Sequence, residues 1–127
     1  MRKEIIDWFK QAENDLYKAE ILFNGEAFDG AVFFYHQAVE KALKALFLLK
    51  FRETPSGHSL LFMAKKLNVP EEFMPIIKEL NTEYLTTRYP DIAQGPPFEL
   101  YDKNVASRYR EVAKKVIKWV KSKINQK

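Results

Sequence analysis

The sequence contains no cysteine and only two histidines among its 127 residues. Without cysteine the chain can form neither disulfide bonds nor a thiolate metal site, which fits a reducing compartment. Two histidines alone offer no spacing typical of metal ligands, so we predict no metal and no other cofactor. No segment approaches the roughly 20 apolar residues that span a bilayer, and the N-terminus lacks the apolar run of a signal peptide. We therefore expect a soluble, cytoplasmic protein that does not enter a membrane.

Strand-like alternation of apolar and polar residues is also absent, as are internal repeats and low-complexity tracts. No glycine-rich phosphate loop of either common type occurs, so any nucleotide site must be built from side chains. At 127 residues the chain is long enough for one hydrophobic core. We predict a single domain over residues 1–127 with no sheet.

Apolar residues instead recur at helical spacing. The predicted long helices cover residues 3–24, residues 28 or 29 to 49, a stretch that begins between 71 and 75 and ends at 88, and about 103–123, and a short helix begins at Ser56 or His58. Asn24-Gly25 suits a left-handed cap, and Pro90 ends the fourth long helix. The prediction is an all-α, up-and-down antiparallel bundle of four long helices plus one short helix, with residues 90–102 as its long irregular segment.

The second predicted helix carries an unusual group of polar side chains. They fall in one arc of about 140° on a helix that is otherwise apolar, and they are His36, Gln37, Glu40, Lys41 and Lys44. Because a helix this apolar is largely buried, these groups are predicted to line a recess or a subunit contact. The alternative is a solvated face on which Glu40 and Lys44 form an i,i+4 pair.

Asp15 falls on the apolar stripe of the first predicted helix. A carboxylate in that position must find a cation or a hydroxyl, because an unpaired charge in a core is costly. Two interpretations remain: a structural ion pair, or a contribution to a binding site.

Positive charge is concentrated near the C-terminus. Residues 108–127 hold eight Lys or Arg and one acid, a net +7, against −3 for the remaining chain. Such asymmetry indicates either contact with nucleic acid or an acidic partner, or a solvated helix face.

Four blocks of the sequence together resemble the HEPN domain, which is named for higher eukaryotes and prokaryotes and for proposed nucleotide binding. They are Ala12-x-x-Asp15-Leu16-x-x-Ala19, Phe34-Tyr35-His36-Gln37-Ala38-Val39-Glu40-Lys41-Ala42-Leu43-Lys44-Ala45, Gly57-His58-Ser59-Leu60 and Arg88-Tyr89-Pro90. The resemblance implies an all-α bundle, frequent homodimers and a nucleotide-binding or RNA-directed role. It also implies action beside a minimal nucleotidyltransferase in a two-protein system of the toxin–antitoxin kind.

The residues expected to bind a ligand follow from the chemistry of a nucleotide. Phosphates need Lys or Arg, ribose needs a carboxylate or amide, and a base needs an aromatic surface. The candidates are Asp15, His36, Gln37, Glu40, Lys41, Lys44, Arg88 and Tyr89.

The sequence departs from the family in one motif. HEPN members that cut RNA resemble one another in an Arg-x(4–6)-His motif late in the domain, whereas no histidine follows Arg88 here. The spacing occurs once, earlier, from Arg52 to His58. The alternative function is therefore a metal-independent ribonuclease in which His58 is the base, Arg52 the cation and His36 the acid.

A further alternative is a non-catalytic dimerisation module. In that case Glu40 and the neighbouring lysines of the second helix form ion pairs across a subunit interface. Because the ribonuclease motif is missing from its expected place, our preferred interpretation does not include catalysis by this chain.

Overall fold

The computed structural model describes residues 2–57 and 59–125 and forms a helical bundle. The α-helices are α1 (Lys3–Asn24), α2 (Phe28–Phe51), α3 (Leu60–Lys66), α4 (Met74–Leu80), α5 (Glu83–Thr86), α6 (Pro90–Ala93) and α7 (Lys103–Ile124). Two short 3₁₀ helices cover Glu71–Phe73 and Pro97–Leu100. No strand occurs in the part of the chain that the structure describes, so the all-α prediction is confirmed. His58 lies outside the described residues.

The turn between α1 and α2 differs from the prediction in one residue. Gly25 has φ −86°, and Glu26 adopts the left-handed conformation instead, with φ 64°. The Gly25 N–H still donates to the Ile21 carbonyl at 3.0 Å, so the helical turn continues for one more residue. The Ala27 N–H then donates back to the Leu22 carbonyl at 2.8 Å, which closes the turn and makes α1 and α2 antiparallel.

Helix α2 is the centre of the bundle, with α1, α3, α5 and α7 packed around it. Its buried apolar side chains lie on more than one face: Val32, Val39 and Leu43 share one face and have no exposed surface, and Leu48, about 160° away around the helix, is 5% exposed. A helix of this kind is stable only when neighbours cover its whole circumference. Several polar side chains in the middle of α2 are consequently covered along with it, whereas Lys50 in its last turn is exposed.

The fourth predicted helix is broken in the structure. Instead of one helix over residues 71–88, α4 and α5 are separated at Asn81 and Thr82. The side chain of Asn81 accepts the N–H of Leu60 at 2.7 Å and so caps the start of α3. Asn and Thr are also poor residues for a helix interior, which makes this a favourable place to interrupt it.

Helix α7 returns along the bundle and starts at a capped position. The Asp102 side chain accepts the Val105 N–H at 2.9 Å. The segment before it is less irregular than predicted, since α6 and a 3₁₀ helix lie within residues 90–102. Among the described residues no helix has the length and apolarity required to cross a membrane.

Candidate functional site: a buried polar cluster and an exposed arginine

The polar side chains of α2 lie in the interior. We define the polar cluster as Asp15 together with His36, Gln37, Glu40, Lys41 and Lys44. Exposure is 0% for His36, 1% for Asp15, 6% for Glu40 and 7% for Lys44, while Gln37 and Lys41 are half-buried. The alternative of an ordinary solvated face does not hold for these residues.

Within the cluster, Glu40 is the central acceptor. Lys44 Nζ lies 2.8 Å from Glu40 Oε2, so the predicted i,i+4 pair forms, but in a buried setting. His36 Nδ1 lies 3.8 Å from Glu40 Oε1. Lys44 Nζ also sits 5.2 Å from the centre of the Trp8 ring of α1, a cation–π contact that compensates part of its desolvation.

Asp15 is the part of the cluster that α1 contributes. Lys41 Nζ donates to Asp15 Oδ2 at 2.5 Å, Gln11 Nε2 donates to Oδ1 at 2.9 Å, and Lys18 Nζ lies 3.7 Å from Oδ1. The expectation that this carboxylate meets a cation is therefore confirmed. Lys41 also donates to Gln37 Oε1 at 3.2 Å, which joins the Asp15 pair to the rest of the cluster.

The cluster is thus closed by contacts within the chain. Glu40 pairs with Lys44, and Asp15 pairs with Lys41. Since His36 and Asp15 are almost completely covered, this arrangement does not present them to a ligand at the surface. The cluster is a polar core that holds α1 against α2 and orients the residues at its edge.

At one edge of the cluster lies an exposed arginine surrounded by rings. The Arg88 guanidinium carbon is 4.8 Å from the centre of Phe33, 4.9 Å from that of Tyr89 and 5.9 Å from that of Tyr84. Arg88 Nε donates to the Tyr84 carbonyl at 2.7 Å, which fixes the direction of the side chain. We call these four residues the Arg88 platform. Its Tyr84 ring lies 5.3 Å from the His36 ring, so the platform rests on the polar cluster.

The charge on Arg88 is available to a ligand. No carboxylate within residues 2–57 or 59–125 forms an ion pair with it, unlike Arg108 and Arg110 of α7. Arg88 and Tyr89 are both exposed. Of the eight predicted ligand-binding residues, these two are reachable from solvent on this surface, and sequence analysis did not anticipate Tyr84 as their neighbour.

Sequence analysis also missed a second polar network, centred on Glu20. Its carboxylate accepts from Tyr35 Oη at 2.5 Å and from Arg110 Nε at 2.9 Å, and Lys114 Nζ lies 3.0 Å away. Burial alone would raise the pKa of Glu20, but hydrogen bonds from Tyr35, Lys114 and Arg110 outweigh it and hold the pKa below its usual value. The position of Glu20 in the sequence could have indicated this network, because Glu20 lies four residues after Leu16, at the edge of the apolar stripe of α1.

A third contact ties the segment before α7 to α5. Tyr101 Oη donates to Glu83 Oε1 at 2.8 Å. Burial and this hydrogen bond to a carboxylate raise the pKa of the Tyr101 hydroxyl, and the pKa of Tyr109 shifts in the same direction for the same reasons. These hydroxyls therefore remain protonated donors that hold Glu83.

The described structure leaves the Arg52–His58 pair of the ribonuclease alternative untested. Arg52 ends α2 in the left-handed conformation with φ 60° and is exposed, but His58 is outside the described residues. His36 has no exposed surface, so it is not positioned to donate a proton to RNA. In the described ranges no group of three or more His, Asp or Glu side chains is arranged to hold a metal ion.

Comparison with known proteins identifies the family. The family model for the HEPN domain matches residues 5–123. The chain is 28% identical to "Putative toxin MJ1304" of Methanocaldococcus jannaschii, over 94% of this chain and 88% of that protein.

Three solved structures are similar to this chain in both fold and sequence. TT1696 from Thermus thermophilus has a TM-score of 0.89 and 31% identity, covering 96% of this chain and 99% of that one. ST0689, an archaeal HEPN homologue, has a TM-score of 0.83 and 33% identity, covering 98% of this chain and 100% of that one. An HEPN domain protein from Thermotoga maritima, tm0613, has a TM-score of 0.76 and 26% identity, covering 95% of this chain and 99% of that one. This chain therefore belongs to the HEPN domain family.

Proposed function

We propose that this HEPN protein binds the phosphate of a nucleotide or RNA at Arg88 and acts with a minimal nucleotidyltransferase in a toxin–antitoxin-like pair. The observation that carries the proposal is the Arg88 platform: an exposed guanidinium with aromatic rings beside it and no carboxylate partner in the described chain. Similarity to a protein named as a putative toxin supports the toxin-like role.

The platform has the chemistry that a nucleotide requires. A guanidinium recognises two phosphate oxygens at once, and an aromatic face accepts a base by stacking. Tyr89 is 43% exposed, so part of its ring surface is accessible to a base while Arg88 takes the phosphate. The hydrogen bond from Arg88 Nε to Tyr84 leaves the two terminal nitrogens of the guanidinium for the ligand.

The binding step is tested by isothermal titration of the full chain with ATP, AMP and a short RNA that carries a 5′-phosphate. Arg88→Ala should weaken binding at least about ten-fold, since a charge-assisted pair is worth about 1.5–3 kcal/mol. Arg88→Lys should recover part of the loss, because it restores the charge without the planar fork. Arg108→Ala is the matched control, because it removes another exposed arginine, one already paired with Glu79. Equal affinities in the Ala variants would refute the site.

The system-level role is tested by expression in a bacterial host. The chain alone should slow growth, and co-expression of a small nucleotidyltransferase from the same genome should relieve this. Arg88→Ala should slow growth less than the unaltered chain at equal protein level. Normal growth with the unaltered chain, together with no co-purification of the two proteins, would contradict the paired role.

We include a homodimer in this proposal. Three large apolar side chains that follow Arg88 are exposed: Ile92 at 50%, Phe98 at 64% and Leu100 at 49%. Apolar groups gathered on one surface segment are typical of a contact with another chain. Light scattering should report a dimer for the unaltered chain and a monomer for Phe98→Glu, and a monomeric unaltered chain would overturn this part.

The ribonuclease alternative rests on Arg52, which is exposed at the end of α2. It predicts that Arg52→Ala and His58→Ala each abolish cleavage of single-stranded RNA, with no loss from Arg108→Ala.

The alternative of a non-catalytic dimerisation module required Glu40, Lys41 and Lys44 to pair between chains. The pairs within the chain already occupy Glu40 and Lys41.

A further inference from the structure

Helix α7 uses its positive charges in two different ways. Up to Lys114, Arg108 pairs with Glu79 at 2.9 Å, and Arg110 and Lys114 pair with Glu20 at 2.9 and 3.0 Å. After Lys114 no carboxylate of the described chain lies within 4.0 Å of any lysine nitrogen of α7, and these lysines are Lys115, Lys118, Lys121 and Lys123. The excess positive charge of the C-terminal segment is therefore left at one end of the bundle.

Two adjoining grooves open at that end. One, of about 420 Å³, is lined by Lys50 and Lys123 together with Trp119 and Leu49. The other, of about 300 Å³, is lined by Arg2, Arg52 and again Leu49. Because Leu49 is a wall of both, the two grooves adjoin around the C-terminal end of α2.

The residues that line the two grooves are all apolar or cationic, apart from the amide residue Asn68. Neither groove has a carboxylate in its wall, and no ion pair within the described ranges involves Arg2, Lys50, Arg52 or Lys123. Cations near the C-terminal end of α2 complement its dipole, which explains Lys50 by itself. The dipole does not explain Arg2, which precedes the positive N-terminal end of α1. Cations from three helix ends thus converge on a surface with no anion of its own.

An aromatic ring stands among these cations. Trp119 is half-buried at the wall of the larger groove, and Lys123 Nζ lies 5.7 Å from its ring centre. A positively charged groove that follows a backbone, with an aromatic ring for a base, is the arrangement that binds single-stranded nucleic acid. We infer that single-stranded nucleic acid binds along these two grooves, with phosphates at Arg2, Arg52, Lys50 and Lys123 and a base against Trp119.

This surface is separate from the Arg88 platform. Phe33 of the platform and Leu49 of the grooves are 16 positions apart on α2, which corresponds to about 24 Å at 1.5 Å per residue. The inference does not depend on nucleotide binding at Arg88, so each can fail while the other stands.

The experiment measures binding of a fluorescein-labelled 12-nucleotide RNA to the full chain by anisotropy over a series of salt concentrations. Lys50→Ala/Lys123→Ala should weaken binding by about ten-fold and reduce the slope of log affinity against log salt by about 1.4, or 0.7 per phosphate contact. Lys78→Ala/Lys103→Ala is the matched control, since it removes two exposed lysines elsewhere that form no ion pair within the described ranges. Lys50→Gln/Lys123→Gln repeats the test with longer side chains, and all variants are measured in an Arg88→Ala background so that RNA bound at the Arg88 platform does not contribute.

A second readout follows Trp119 itself. In a Trp8→Phe background Trp119 is the one remaining tryptophan, so its fluorescence reports the larger groove. RNA should quench this fluorescence, whereas inorganic polyphosphate should bind without comparable quenching. Equal weakening in both lysine pairs would show unspecific attraction and overturn the inference. Quenching by polyglutamate at the same concentration as RNA would instead assign the grooves to an acidic polypeptide.

Discussion

Lys41 of α2 donates a hydrogen bond to Asp15 of α1 at 2.5 Å, and Asp15 is only 1% exposed. The pair joins two antiparallel helices that are also linked by the hydrogen bond from Tyr35 to Glu20 and by the contact of Lys44 with the Trp8 ring. A buried charge without a partner is costly, whereas an apolar pair of similar volume in the same place is often tolerated. The contact therefore selects one register of α1 against α2, because a shift of either helix would separate the charges.

Removing one member of this pair should be more harmful than removing both. Lys41→Ala should lower the free energy of unfolding by about 3 kcal/mol, because it leaves the Asp15 carboxylate buried without its main cation. The double change Asp15→Leu/Lys41→Met should cost less than Lys41→Ala alone. Urea unfolding followed by circular dichroism measures both.

The exposed pair of Lys3 and Asp7 is the control, with side chains 87% and 56% exposed. Asp7→Ala should change stability by at most about 0.5 kcal/mol. A Lys41→Ala variant as stable as Asp7→Ala would show that the buried pair contributes nothing.

The Glu20 network predicts a dependence on pH. Because the folded-state pKa of Glu20 lies below its usual value, its carboxylate stabilises the fold above about pH 4.3, the ordinary pKa of a glutamate. This contribution is lost as the pH falls through the folded-state pKa. Glu20→Gln should lower the free energy of unfolding by about 1–3 kcal/mol at pH 7, since Tyr35 and Arg110 lose a charged acceptor.

Below about pH 4 the difference between Glu20→Gln and the unaltered chain should shrink. Glu13→Gln serves as the control, because Glu13 is exposed and has no ion pair within the described ranges. A constant difference from pH 7 to pH 3 would mean that the ionised form of Glu20 is not what stabilises the fold.

The same substitution at two glycines should have opposite signs. Gly30 lies in α2, and a Cβ there would meet the end of the half-buried Leu22 side chain at 3.2 Å, which can rotate away. Gly30→Ala should therefore stabilise the fold by about 0.5 kcal/mol through helix propensity. Gly57 has φ 78°, so Gly57→Ala should cost about 1 kcal/mol or more although nothing lies within 4 Å. Thermal unfolding measures both, and a loss at Gly30 would show that Leu22 is held in place.

The extents of α1, α2 and α7 were accessible from the sequence because their signals are local. Apolar spacing, the Asp102 cap and the breaks near residues 25 and 52 all act within a few residues of the positions they control. The break at Asn81 was not accessible in this way. Its side chain caps α3 by accepting the N–H of Leu60, 21 residues earlier in the chain, and no local pattern reports such a contact.

The candidate site could likewise be predicted from the sequence only in part. That the polar residues of α2 are covered follows from the apolar character of the helix, which requires neighbours on every side. Which groups neutralise them does not follow, because Asp15 and Trp8 come from another helix. Arg88 and Tyr89 were recognised as a motif, but the ring of Tyr84 joins them only because the short helix α5 places it beside Arg88.

The sequence by itself determined that this protein is an α-helical bundle of the HEPN family and that α2 is its covered centre, since both depend on periodic and motif patterns along the chain. The tertiary structure alone decided which charges cancel. It closed the polar cluster with Asp15 and used Glu20 and Glu79 to neutralise the cations of α7 from Arg108 to Lys114. It left Arg88 and the later lysines of α7 without an ion pair within the described chain. The physical reason is that ion pairs act over a few ångströms in space, and distance along the chain does not report that separation.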